Sequence, residues 1–189
     1  MRALFLTLPA ALALTACIES DMDLTVLGED EARVTGYIQM QRQMFEMAGQ
    51  DPSFCDEEGG TFTLTDTHAR CDIDKTGTFA EIMDDGGADA PQDMQAELVH
   101  LDSNRVRALM PFAAMSGQMD DMASDPQAMA MAQQMMAGLS VSFSVTGANI
   151  ESTTGTLSED GKTATVTLTL DDLLAPETPL QDFETIVTY

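Results

Sequence analysis

Apolar and polar side chains alternate along the chain immediately after residue 17. Every second residue from Ile18 to Val26 falls on one face, and the residues between them, three of which are acidic, fall on the other. A period of two over this length predicts a half-buried strand. Residues 28–30 are typical of a turn, and residues 32–38 predict a second strand that returns beside the first.

The chain then mixes helical and strand patterns. Met40, Met44, Phe45 and Met47 are spaced for a short amphipathic helix that ends at Gly49. The further strands that we predict cover residues 61–65, 78–83, 97–101, 105–110, 139–145, 162–170 and 183–189, with a hairpin between the third and the fourth.

Residues 111–137 have helical spacing instead. Asp125-Pro126 is typical of a helix start, and Gly138 is typical of a helix end. We therefore predict two helices in a central, Met-rich insertion. The predicted fold class is α+β, with this insertion packed on an antiparallel sheet in a single domain over residues 17–189.

Residues 1–16 have the pattern of an export signal. A charged start is followed by an apolar run that is shorter than the ~20 residues needed to span a bilayer. Leu14-Thr-Ala-Cys17 resembles the bacterial lipobox, which predicts cleavage before Cys17 and acyl chains on that residue. Because Ile18 and not aspartate follows Cys17, we expect a periplasm-facing envelope protein anchored to the outer membrane in preference to the inner one.

Two further cysteines, Cys55 and Cys71, remain once Cys17 is assigned to the lipid. In an oxidising compartment such a pair predicts a disulfide. The alternative is a metal site formed by Cys55, His68 and Cys71, although it offers only three ligands and no zinc-type spacing.

The composition of the chain argues against several classes of function. The chain has 32 acidic and 8 basic residues, a net charge of −24, which argues against nucleic acid as a partner. Its hydrophobic fraction of 44% is too high for a disordered acidic tail. The two histidines accompany no nucleophile motif, phosphate loop or metalloprotease signature, so we predict a non-enzymatic protein without a cofactor.

Methionine is the most unusual feature of the composition. The chain has 15 methionines, and eight of them lie between Met110 and Met136. Since methionine adapts to varied apolar partners, we interpret the segment as an apolar ligand surface; Cu(I) binding by thioethers is the alternative. The residues proposed for this surface are Phe112, Met115, Met119, Met122, Met131 and Met135.

Both ends of the chain resemble the LppM-type bacterial lipoprotein domain. The similar segments are CIESDMDLTV at 17–26, ARVTG at 32–36, VSFSVTG at 141–147 and SEDGKTATV at 158–166. The resemblance implies a lipoprotein domain with an apolar groove that holds a lipid or glycolipid, but it transfers no binding residue. We therefore expect a membrane-anchored lipoprotein that binds a lipid or other hydrophobic ligand; the alternative is a lipoprotein that docks a protein partner in the envelope.

Overall fold

Strands dominate the computed structural model. It describes residues 18–49, 51–57, 59–85, 95–114, 137–174 and 180–189, together with residues 127, 130 and 133. The strands are β1 (Ile18–Gly28), β2 (Glu31–Gln41), β3 (Gly60–Leu64), β4 (His68–Gly77), β5 (Glu97–Asp102), β6 (Arg105–Met110), β7 (Ser140–Thr146), β8 (Asn149–Thr153), β9 (Thr156–Leu157), β10 (Thr163–Thr169) and β11 (Phe183–Thr188). The short helices are α1 (Arg42–Ala48), α2 (Ser53–Glu57), α3 (Phe79–Asp85) and α4 (Leu170–Leu174).

The strands form two sheets. The large sheet has the order β3-β4-β2-β1-β7-β10-β9, and the small sheet has the order β5-β6-β11-β8. The predicted antiparallel pairing is confirmed for every pair except β1 and β7, which are parallel. A parallel neighbour requires a long crossover connection, and here the chain passes through β2 to β6 before it returns beside β1.

The small sheet packs against one face of the large sheet, which we call the inner face. Leu24 of β1 and Val145 of β7 are buried there against Val106 of β6 and Phe183 and Val187 of β11. The alternation predicted for β1 is confirmed, because Leu24 and Val26 are buried on the inner face. The core therefore lies mainly between two β layers, and Phe79 and Ile82 of α3 also contribute to it.

The predicted central helical insertion is not supported. The helices with described bounds are no longer than seven residues, and they lie before residue 86 or after residue 169. Within the predicted segment 111–137, residues 115–126 and most of residues 127–136 lie outside the described part of the chain. Two sheets enclosing a core replace the single sheet with packed helices.

The predicted strand at 78–83 is wrong, because helix α3 occupies this position. The backbone N–H and the hydroxyl of Thr78 both donate to Glu81 Oε2, at 2.8 and 2.9 Å, and Glu81 N donates back to Thr78 Oγ1. These reciprocal bonds form a capping box, which satisfies the free N–H groups of the first helical turn. By contrast, α1 is confirmed and ends as predicted at Gly49, which has a left-handed φ of 63°.

Candidate functional site

The disulfide predicted from the sequence joins Cys55 of α2 to Cys71 of β4, with their Cα atoms 5.7 Å apart. Both cysteines are fully buried and pack with Ile73, Ile38 and Phe62 in a second apolar cluster. The alternative metal site with His68 is wrong, because both sulfur atoms are bonded to each other. The imidazole Nδ1 of His68 instead lies 2.9 Å from Thr67 Oγ1 at the surface.

Strand register places four apolar residues in one row at the end of the large sheet where β1 begins. Ile18 pairs with Met40, Met40 with Ala69, and Ala69 with Leu64. The row crosses β1, β2, β4 and β3 on the inner face, since Ala69 has the same parity as the buried Cys71. We call this end of the large sheet, where β1 begins, the Ile18 end.

The inner face is largely apolar beyond this row, with Ser20 as a polar residue between Ile18 and Met22 on β1. Met22 and Ile38 follow on β1 and β2, and Val141 and Phe143 lie on the neighbouring β7. These four side chains are half-buried, whereas the core residues farther along the strands are fully buried. The small sheet therefore closes the inner face at the opposite end more completely than at the Ile18 end.

Exposed apolar side chains surround the Ile18 end. Met47 of α1 is 70% exposed and Leu64 of β3 is 45% exposed. On the other side, α4 follows Thr169, which pairs with Ser140; the leucines of α4 are half-buried, and its exposed residues are Asp171 and Asp172. We call this set the apolar rim; its members are Met47, Leu64, Leu170, Leu173 and Leu174.

A polar cleft of about 500 Å³ opens beside the apolar rim. Arg42 and Glu46 on α1 form an ion pair of 2.7 Å at its wall, and Asp66 and His68 contribute the opposite side. The hydrogen bond to Glu46 raises the pKa of Arg42, so this guanidinium stays charged. Because the positive charge is paired, the cleft supplies a polar surface next to an apolar one and not a free cation for an anionic ligand.

The outer face of the large sheet is polar throughout its described strands. Tyr37 donates a hydrogen bond of 2.5 Å to Glu19, which raises the pKa of Tyr37, and Arg70 stacks 3.7 Å from the centroid of the tyrosine ring. On β7 and β10, hydroxyl side chains pair across the strands, as in the 2.9 Å contact between Ser142 and Thr167. This face turns to solvent and offers an apolar ligand few contacts, in contrast to the inner face and the apolar rim.

The residues predicted as site residues are only partly described. Phe112 packs against the main core. The other members of the predicted ligand surface, and the predicted lipid-bearing cysteine, lie outside the described residues: Met115, Met119, Met122, Met131, Met135 and Cys17. The apolar ligand surface in the Met-rich segment and the Cu(I) alternative therefore stay predictions.

The described ranges contain neither a metal-binding cluster nor a membrane-spanning helix. No set of three or more histidine, cysteine, aspartate or glutamate side chains in those ranges is arranged to hold a metal ion. None of the helices in the same ranges has the length and apolar character needed to cross a membrane.

The described elements define a two-layered, mostly β domain with short peripheral helices and one parallel strand pair. Its fold is similar to that of the LppM folded domain of Mycobacterium tuberculosis, solved by NMR, with a TM-score of 0.51 and 15% identity over 92% of this chain and 91% of that one. No protein-family model matches the chain, and no curated protein matches it. The resemblance predicted from the two ends of the sequence is thus confirmed as a likeness of fold.

Proposed function

We propose that this protein is a non-enzymatic, membrane-anchored envelope lipoprotein that binds a lipid or other hydrophobic ligand beside the membrane. The likeness of fold to LppM and the lipobox-like Leu14-Thr-Ala-Cys17 support the envelope lipoprotein. The polar outer face and the half-buried apolar inner face support an apolar ligand held on one side of the large sheet.

One observation carries the proposal. Ile18, the residue next to the proposed lipid-bearing Cys17, is already the first residue of β1 and belongs to the apolar row at the Ile18 end. Because consecutive Cα atoms are only about 3.8 Å apart, an acylated Cys17 brings the acyl chains of the bilayer to this end of the sheet. An apolar ligand extracted from the bilayer would meet Ile38 and Val141 first, on either side of Ser20, and Met22 after them.

The three cysteines and Ile18 support the compartment that we propose. Acyl chains on Cys17 would hold the protein stably at a membrane surface, because more than one chain is attached in the lipobox pathway. The buried disulfide fits an oxidising compartment. We therefore place the protein on the periplasmic side of the envelope, with Ile18 after the cysteine favouring the outer membrane.

Extraction of lipid from the purified protein tests whether the protein binds a lipid. Residues 18–189, which contain the whole described fold, are produced in the periplasm without an anchor, and the purified protein is extracted for mass spectrometry. We expect a co-purifying lipid, and we expect Val141→Asp to reduce its amount while Leu157→Asp, at the exposed β9 edge, leaves it unchanged. A lipid-free wild-type protein that also takes up no phospholipid from phosphatidylcholine vesicles would refute ligand binding.

A protein partner is the second candidate, and the edge strand β5 favours it. Val99 and Leu101 on this strand are 40% and 44% exposed, and an exposed edge strand with apolar side chains is able to pair with another chain. Crosslinking in intact cells separates the candidates. A single protein adduct that Val99→Lys abolishes would favour docking over lipid binding.

A further inference from the structure

We propose that the apolar rim rests directly on the bilayer, with Met47 and Leu64 entering its interface, so that the large sheet stands on its Ile18 end. This inference rests on the proposed lipid anchor at Cys17 and adds to it an orientation and named contacts. The occupant of the apolar rim is the phospholipid surface that holds the anchor.

The position of the proposed anchor favours this contact. The described chain begins at Ile18, one residue after Cys17, and Ile18 is fixed in β1 by its pairing with Met40. Leu64 lies in the same row three strands away, a distance of about 14 Å at the usual strand spacing. Because Ile18 already belongs to β1, the end of the sheet that carries this row lies closest to the proposed acyl chains.

The exposure of the apolar rim fits that surface. Met47 and Leu64 expose 70% and 45% of their surface, and the α4 leucines are only half-buried. These side chains lie on both sides of Ile18, on α1 and β3 in one direction and on α4 in the other. An interfacial membrane contact would remove them from water together, which a single small ligand cannot do.

The charge of the protein favours apolar contact, and not electrostatic attraction, as its means of attachment to the bilayer. The chain carries a net charge of −24, to which the exposed Asp171 and Asp172 of α4 contribute at the rim, and Arg42 at the rim is paired with Glu46. An anionic surface would therefore repel the protein, and a zwitterionic surface would not attract it by charge. At the opposite end of β1 the turn that follows Leu27 is acidic, and it lies about 30 Å from Ile18 along the strand.

Tryptophan fluorescence tests the orientation, because the chain has no tryptophan of its own. The full chain, lipidated in its bacterial host, is reconstituted into phosphatidylcholine vesicles with or without bromine on the acyl chains. Met47→Trp and Leu64→Trp report on the apolar rim. Leu27→Trp and Leu157→Trp are matched controls, since both leucines are 48% exposed but lie away from the Ile18 end.

We expect brominated lipid to quench the two rim tryptophans by at least twofold and to leave both controls unquenched. The circular dichroism of each variant, compared with that of the unsubstituted protein, checks that the fold is retained. Equal quenching at all four positions, or stronger quenching at the controls, would overturn the orientation while leaving the anchor intact. Failure of the protein to float with the vesicles would overturn the anchor and this inference together.

Discussion

Removal of the disulfide is the most direct test of how the large sheet is held beside α2. Replacing both Cys55 and Cys71 with alanine opens a covalent loop with a sequence separation of 16. In the chain-entropy model, a loop of this size stabilises the folded state by about 3 kcal/mol, because the unfolded chain regains the freedom that the bond removes. Alanine avoids burying a hydroxyl in the apolar cluster, so the change reports mainly on the cross-link.

Urea unfolding of residues 18–189 measures the loss. With a slope of about 2 kcal/mol per M, a decrease of ~3 kcal/mol lowers the unfolding midpoint by about 1.5 M. Reduction of the unsubstituted protein provides a control that changes no residue, and it should lower the midpoint by a similar amount. A shift below about 0.3 M by both routes, roughly a fifth of the expected change, would refute the reasoning.

Gly60 gives a companion test of the same contact. A Cβ atom added there would lie 2.7 Å from the sulfur of Cys71, 2.8 Å from that of Cys55 and 2.9 Å from the carbonyl oxygen of Asp72. Gly60→Ala should therefore destabilise the protein by about 1–3 kcal/mol, the usual range for overpacking. In the variant that lacks both sulfur atoms the cost should be smaller, and an equal cost in both backgrounds would show that the sulfur contact is not its cause.

Three further predictions concern a side chain of the core, a close contact between β1 and β2, and the N-terminal cap of α3. Phe183→Ala, which empties a core position that is 2% exposed, should cost about 3–5 kcal/mol in urea unfolding. Gly36→Ala should cost at least ~2 kcal/mol in the same assay, because its Cβ would lie 2.0 Å from the carbonyl oxygen of Asp21; a cost below about 0.5 kcal/mol would contradict that contact. Hydrogen bonds from Thr78 lower the pKa of Glu81 below its ordinary 4.5, so its contribution to stability is present above that value and is lost as the pH falls through the lowered pKa. Glu81→Gln should flatten the decline of the urea midpoint between about pH 5 and 3, and an unchanged decline would contradict the assignment.

Much of the strand content could be predicted because period-two alternation is a local signal. The strands β1, β2, β5, β6 and β11 follow it, and their bounds fall within a few residues of those expected. In β4, Ala69, Cys71 and Ile73 show the same alternation and lie on one face. The charged residues of this strand are also typical of a turn, which obscures the strand signal. The helix α3 carried a capping-box signal at Thr78 and Glu81 that outweighs its apolar alternation.

The partition into two sheets could not be predicted from local patterns, because register and pairing depend on contacts far apart in the chain. The sequence alternation of β7 is compatible with either sheet and either direction. It pairs in parallel with β1 because Val145 is buried in the core there and Thr146 donates a 2.7 Å hydrogen bond to Asp23. The apolar row at the Ile18 end arises from the same long-range register, so no single strand reveals it.

The parallel pairing of β1 and β7 also bears on the Met-rich segment. Because Ser140 pairs with Glu19, the chain that leaves the segment arrives beside the first residues of β1. Only three residues separate Met136 from Ser140 in the sequence. The carboxyl end of the segment predicted from sequence as an apolar ligand surface is therefore joined by a short stretch of chain to the end of the sheet that carries the half-buried inner face and the apolar rim. If the segment handles a membrane-derived ligand, Met135→Asp should reduce the co-purifying lipid as Val141→Asp does, and an unchanged lipid content would separate the segment from that role.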